Sequence, residues 1–238
     1  MAISAFKRYE LKFLLTRNQY KELLPDIAKY MQPDLYCQDN AYYGIYNIYY
    51  DTPDNAIILA SLAKPYHKEK FRMRCYDSPA RPDSIVFLEL KKKTANIVHK
   101  RRATMTLAQA NAFIDEGIRP PYKSYMNEQV LHEISYFLSC NEVHPTTYIG
   151  YKRKAFFGKD NSDFRITFDY DIFSRREALR LDQSCYGDAL LPNDTLLMEV
   201  KITGAVPIWL ADRFSDLQIY KTSFSKYGTD YVRRQSLC

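Results

Sequence analysis

The sequence predicts an α+β fold in one domain over residues 1–238: a closed antiparallel β-barrel with a polar, basic interior and flanking helices. Three observations carry that expectation. Six extended segments alternate charged with apolar residues, short helices with clear start and stop signals lie between them, and no Pro/Ser-rich linker or internal repeat divides the chain.

In a strand, residues i, i+2 and i+4 share a face. Arg8, Glu10 and Lys12 therefore point one way and Tyr9, Leu11 and Phe13 the other. Thr16-Arg-Asn-Gln19 matches a capping box, and Tyr20, Leu23, Leu24, Ile27 and Met31 follow at helical spacing. The cluster Tyr42, Tyr43, Tyr46, Tyr49 and Tyr50 reads as sheet packing rather than an adenine platform. Asp51 is read as part of a helix start, because Thr52-Pro53 resembles an N-cap followed by proline at the first helical position, opening a short helix through Leu62. Lys70, Arg72 and Arg74 share a face opposite Phe71, Met73 and Cys75, and Glu89, Lys91 and Lys93 lie opposite Leu88 and Leu90. Lys100, Arg102 and Thr104 continue the pattern. A second capping box, Thr106-Leu-Ala-Gln109, opens a helix for which Gly117 supplies the C-terminal glycine. Ser124 to Leu138 places Val130, Leu131, Ile134, Phe137 and Leu138 on one helical face. Tyr151 to Lys154 is a weaker strand, since Lys152 and Lys154 interrupt its apolar side. Arg165, Thr167 and Asp169 oppose Ile166, Phe168 and Tyr170, and Glu199 with Lys201 opposes Met198, Val200 and Ile202. Residues 207–217 form the last expected helix.

An antiparallel sheet with one solvated face produces such alternation by itself. Here, however, the polar positions favour Arg and Lys, with Glu recurring two residues before Lys. Rolling the sheet into a barrel with the charges inside explains both facts. That interior would be costly to desolvate unless a polyanion and water filled it. The candidate inward bases are Arg8, Lys12, Lys70, Arg72, Arg74, Lys91, Lys100, Arg102, Arg153, Arg165 and Lys201; the acids beside them are Glu10, Glu89, Asp169 and Glu199. Their excess of seven positive charges matches the whole-chain excess of six within one charge, so the basic character belongs to the site.

Composition narrows the chemistry. Charged residues at 26% and hydrophobic ones at 46% are ordinary for a globular protein and exclude disorder, collagen and coiled coil. With 7 glycines in 238 residues and neither GxGxxG nor GxxxxGK[ST], phosphates must be held by side chains rather than a glycine-rich loop. The 5 cysteines are scattered without CxxC, and the 4 histidines form no HExxH, so neither a disulfide framework nor a zinc site is suggested. No secretory h-region or membrane-length apolar run is present, and a reduced, cytoplasmic setting is expected. Nucleic acid is disfavoured as a partner: glutamates among the bases would repel a phosphate backbone, and most aromatics fall on the opposite face. Bases that hold oxygens, with carboxylates that hold a bridging divalent metal, suit a compact polyphosphate instead.

The segments RYELK (8–12), YYDT (49–52), KFRMR (70–74), LELK (88–91), KRR (100–102), YKR (151–153), RITFD (165–169), MEVK (198–201) and SKY (225–227) resemble the VTC (vacuolar transporter chaperone) polyphosphate polymerase domain. That family is a branch of the triphosphate tunnel metalloenzyme, or CYTH-like, superfamily. The resemblance implies a β-tunnel whose wall bases fall on Lys12, Arg72, Arg74, Lys91, Lys100, Arg153, Arg165 and Lys226. It also implies a metal glutamate at Glu199 and phosphate contacts at Tyr151 and Ser225. Lys70, Arg102 and Lys201 join the phosphate-binding set, and Glu10 and Glu89 the metal set, by their shared faces. Where the superfamily opens with ExExK, this chain has Arg8-Tyr-Glu10-Leu-Lys12, which shifts the balance from metal toward arginine. The implied activity is a transferase reaction: the ATP γ-phosphoryl group passes to inorganic polyphosphate with Mn²⁺ or Mg²⁺ as cofactor. Arg72 and Arg74 are expected to fork onto successive phosphates, with Lys91, Arg153 and Arg165 on the opposite wall. The alternatives are a metal-dependent triphosphatase acting on tripolyphosphate or a nucleotide, and a non-catalytic polyphosphate-binding module. No membrane insertion by this chain is expected, and a membrane-protein partner is an option.

Overall fold

The computed structural model describes residues 8–63, 65–95, 97–121 and 125–236. In chain order the elements are β1 (Arg8–Thr16), α1 (Arg17–Tyr30), β2 (Met31–Pro33), a 3-10 segment (Leu35–Asn40), β3 (Tyr43–Asp51) and α2 (Ala56–Leu62). There follow β4 (His67–Cys75), β5 (Ile85–Thr94), β6 (Ile97–Thr106), α3 (Leu107–Glu116), α4 (Tyr125–Cys140) and β7 (His144–Gly158). The chain continues with β8 (Arg165–Arg175), β9 (Asp188–Ala189), β10 (Thr195–Thr203), α5 (Ile208–Asp216) and α6 (Lys226–Gln235). The fold is mixed α+β with a 10-stranded antiparallel sheet, ordered β1-β10-β8-β7-β3-β4-β5-β6, with β2 beside β7 and β9 beside β8. The order has two ends, so the ladder itself does not show the closed barrel.

The expected capping boxes form. The Thr16 and Thr106 hydroxyls each accept from the backbone N–H three residues on, at Gln19 and Gln109, whose side chains return the bond. Gly117 closes α3 at φ 72, where a side chain would be strained. Helix α5 starts after Pro207 as expected, and α4 runs to Cys140; Ser124, its expected start, lies outside the described residues. Helix α2 begins later than expected. Thr52 Oγ accepts from Ala56 N–H at 2.8 Å, and Pro53 sits in a turn before the helix rather than at its first position. Asp51 supplies the missing cap: its two oxygens accept from the N–H groups of Ile57 and Ile58 at 2.9 and 3.0 Å. Helix α6 has no counterpart among the expected elements.

The chain groups into two compact units. The first takes the segments up to Tyr43, Tyr151–Ile172 and Leu191–Ser225; the second takes Gly44–Gly150, Phe173–Leu190 and the chain from Lys226 onward. In the first unit, Phe13, Leu15, Ile166, Phe168, Met198 and Val200 form an apolar sheet face covered by Leu23 and Ile27 of α1 and Leu210 of α5. In the second, Phe71, Met73, Leu88 and Leu90 face Phe113 of α3 and Ile134 and Phe137 of α4. Burying a side chain of this kind contributes roughly 1.5–3 kcal/mol, so helices on the apolar face commit the opposite face to the charges.

Candidate anion site

The register of the second unit turns sequence alternation into a charged surface. Arg72 pairs with Glu89 and Glu89 with Arg102; one step along, Lys70 pairs with Lys91 and Lys91 with Lys100. Glu89 is the hub, 1% exposed. Its Oε2 accepts from Arg72 Nε and Nη2 at 2.8 and 2.7 Å, and its Oε1 from Arg102 Nε and Lys100 Nζ, both at 2.7 Å. Arg74 Nε stands 4.0 Å from Oε2 and donates to Asn47 Oδ1 at 3.0 Å. Burial alone would push the Glu89 carboxyl up, but Arg72, Arg74 and Lys100 outweigh it and hold the group well below the usual carboxylate range. Burial lowers the Lys100 pKa to about 8; Glu89 pulls upward, while Arg102 and Arg74 push down.

Lys91 departs from its expected place. It lies on the same face as Arg72 and Arg74, beside Lys70, because β4 and β5 are antiparallel neighbours whose directly paired residues share a face. Tyr49 also departs from the packing role expected for the tyrosine cluster. Tyr46 and Tyr50 pack against the core, but Tyr49 turns to the charged face, where its hydroxyl accepts from Arg72 Nη1 at 2.8 Å. Burial would raise its pKa, yet Arg72, Lys70 and Arg74 bring it down to about 8. The signal was the same period of two: Asn47, Tyr49 and Asp51 alternate with Tyr46, Ile48 and Tyr50. The ring of Tyr49 stacks on Tyr227 of α6 at 4.8 Å, and the Tyr227 hydroxyl donates to Asp51 at 2.5 Å. Lys226, the first residue of α6, is thereby in the second unit as well.

The first unit holds the other expected residues. Arg153 forks onto Asp169 with bonds of 2.6 and 2.8 Å, and its Nη2 lies 3.6 Å from Glu199. Burial disfavours the charged guanidinium, but Asp169 outweighs it and holds Arg153 well above its ordinary pKa. Lys12 Nζ lies 3.4 Å from Glu199 and 3.6 Å from Glu10, and donates to the Phe224 carbonyl at 2.9 Å, one residue before Ser225. Lys201 stands 3.8 Å from Glu10; burial lowers its pKa against the pull of Glu10 and Glu199. Arg165 Nη2 is 3.5 Å from both Asp34 and the Tyr43 hydroxyl. Tyr151 is buried under the Arg153 guanidinium, 5.3 Å from its ring centre. Asp169, which sequence reasoning placed on this face without a role, is the fully buried partner that fixes Arg153. The side chain of Arg8 lies outside the described residues.

Oxygen donors of carboxylates are the right chemistry for Mg²⁺ or Mn²⁺, which take one or two carboxylates plus substrate phosphates. Glu10 and Glu199 meet that requirement, as an exposed and a buried carboxylate beside one ammonium. Among the described residues no group of three or more potential metal ligands occurs, and Glu89 is already neutralised by its bases.

A family model described as the VTC domain matches residues 7–233. A search of the curated proteins finds no match. A candidate adenylate cyclase from Bacillus halodurans superposes with TM-score 0.53 at 14% identity, over 91% of this chain and 92% of that one, which shows a shared fold. A candidate adenylate cyclase from Vibrio parahaemolyticus gives 0.45 at 13% identity over 93% and 96%, and the PH1819 protein of Pyrococcus horikoshii 0.44 at 12% over 95% and 99%. No described helix is long and apolar enough to cross a membrane.

Proposed function

The chain belongs to the VTC domain family, and on that premise we propose that it is a polyphosphate polymerase, transferring the γ-phosphoryl group of ATP to inorganic polyphosphate. One observation carries the reading furthest: Arg72, Arg74, Lys100 and Arg102 converge on the single buried carboxylate of Glu89. Such a set keeps a large positive excess after its internal pairing, which suits an anion bearing several charges. Phosphoryl transfer passes through a loose transition state, so catalysis consists mainly of positioning and charge neutralisation. No side-chain nucleophile is needed, because the acceptor is a terminal phosphate oxygen. In this reading Arg72, held by Glu89 and Tyr49, and Arg74, held by Asn47, bind successive phosphates. Arg153, Arg165, Lys12, Lys201 and Lys226 supply further cationic contacts, with Tyr151 and Ser225 as hydrogen-bonding groups. Closure of the sheet into a tunnel, and action of the whole chain as one domain, belong to the same proposal.

Mg²⁺ or Mn²⁺, when bound, would neutralise phosphate oxygens; Glu199 with Glu10 would hold it. Glu199→Gln should then lower turnover by at least tenfold while tripolyphosphate still binds. If Glu199 serves only to balance Lys12 and Arg153, the variant instead loses stability and keeps its metal response.

The test of the reaction is incubation with ATP and Mn²⁺ or Mg²⁺, followed by gel and nucleotide analysis. A ladder of lengthening polyphosphate is the expected result. Free phosphate alone would show a triphosphatase, cyclic AMP a cyclase, and unchanged ATP with retained polyphosphate binding a non-catalytic module; each would overturn the polymerase reading.

A further inference from the structure

The two faces of the β4–β6 sheet treat charge differently. On the core-facing side the basic groups have acids: Glu69 lies 3.3 Å from Lys92 and 3.8 Å from His67, and Glu133 lies 3.1 Å from Arg101. On the other side, Lys70, Lys91 and Lys100 stand in direct register across three strands, and in the next rung Lys68 stands opposite Lys93. The one carboxylate these three strands place on that face is Glu89, in the Arg72 rung. Like charges directly opposite in a sheet repel, and these two rungs gather five lysines on one face. The Lys68 ammonium has a defined seat, donating at 3.1 Å to the Ser61 carbonyl in α2.

We infer that Lys68 and Lys93 form a distal anion subsite, continuing the row that starts at Arg74 and Arg72, for the far phosphates of a polyphosphate longer than tripolyphosphate. The inference rests on the polyphosphate reading above. Same-face residues of a strand lie about 7 Å apart, which sets Lys68 roughly 14 Å from Arg72 along β4. A triphosphate seated on Arg72, Arg74 and Lys70 leaves this rung to a longer chain. In register with Lys68 stand Lys93 and, across β5, Val98, which offer no ring for a base to stack on. The exposed Tyr66 lies two residues away, so single-stranded RNA is the rival ligand that the test must exclude.

Binding of tripolyphosphate, size-fractionated long-chain polyphosphate and single-stranded RNA to the full chain tests this. Lys68→Gln/Lys93→Gln should weaken long-chain binding about tenfold and flatten its salt dependence, while tripolyphosphate binding changes less than about twofold. Lys93→Arg should retain wild-type binding, and Lys92→Gln, on the opposite face, should leave both ligands unaffected. Equal losses for both polyphosphates, no loss for either, or the same loss from Lys92→Gln would overturn the subsite. RNA that binds the wild type as tightly as long polyphosphate and loses as much in the variant would reassign the rung to nucleic acid. Failure of wild-type protein to bind either polyphosphate would instead sink the reading on which the inference rests.

Discussion

Glu89 acts within the protein as an internal counter-anion for the bases that surround it. Glu89→Gln removes that charge and sets Arg72, Lys100 and Arg102 against one another. Breaking a fully buried pair costs about 3–5 kcal/mol. These bases are partly exposed and screened, so a loss of about 2 kcal/mol is expected in denaturant unfolding. Tripolyphosphate should stabilise the variant more than the wild type, and a variant of unchanged stability would refute the role. Because the folded-state pKa of Glu89 is depressed, its contribution is present above the ordinary carboxylate range and is lost as pH falls through that range and below. Tyr49 gives the alkaline counterpart. Its pKa of about 8 lies below the ordinary tyrosine value of 10.0, so between these values the unfolded chain binds more protons and stability rises with pH. Lys100, lowered from 10.5 to about 8, acts with the same sign over a similar window. Tyr49→Phe should therefore reduce the rise, by on the order of 2 kcal/mol at pH 10, and leave the Lys100 part. Identical pH–stability curves for variant and wild type would show that the phenol does not ionise there.

Helix α6 is held in place by buried polar groups as well as by its buried tyrosines, Tyr227 and Tyr231. Asp230, 1% exposed, accepts from Ser174 at 2.6 Å and Thr147 at 3.2 Å and pairs with Arg176 at 3.0 Å. One turn earlier, Tyr227 reaches Asp51, which also caps α2. Asp230→Ala leaves Arg176 and two hydroxyls without their acceptor and should cost about 3 kcal/mol. Because the same helix carries Lys226 and Tyr227, anion affinity should fall with it. Thr106→Ala, which removes the α3 cap on the core side, should cost about 1 kcal/mol and leave anion affinity intact. Thermal melts with and without tripolyphosphate distinguish the two, and an Asp230→Ala protein with normal affinity would separate α6 from the anion site.

For the whole molecule, the excess of positive charge means that a polyanion binding the folded chain would raise its stability. A ligand that binds only the native state stabilises by RT ln(1 + [L]/Kd), about 2.7 kcal/mol at a hundredfold excess over Kd. Tripolyphosphate should accordingly raise Tm by several degrees, and more than chloride at equal ionic strength. Equal shifts would mean general screening and no specific site.

Strand parity was legible in the sequence because a strand's side chains alternate whatever it pairs with. Arg72, Arg74, Glu89 and Arg102 thus declared a common face, and the two capping boxes and Gly117 declared their helices through contacts only three or four residues apart. Partners depend on register and on segments distant in the chain. That Glu89 would collect four bases, that Lys91 would stand beside Lys70, and that Asp169 would hold Arg153 followed only from which strands became neighbours. Helix α6 was hidden because its mean hydropathy is low and its anchors, Tyr227 and Asp230, bond to Asp51 and Ser174 across 176 and 56 residues of chain. Local periodicity decides which way a side chain points; only the folded chain decides which charge it meets, because that meeting is a long-range pairing no short window of sequence contains.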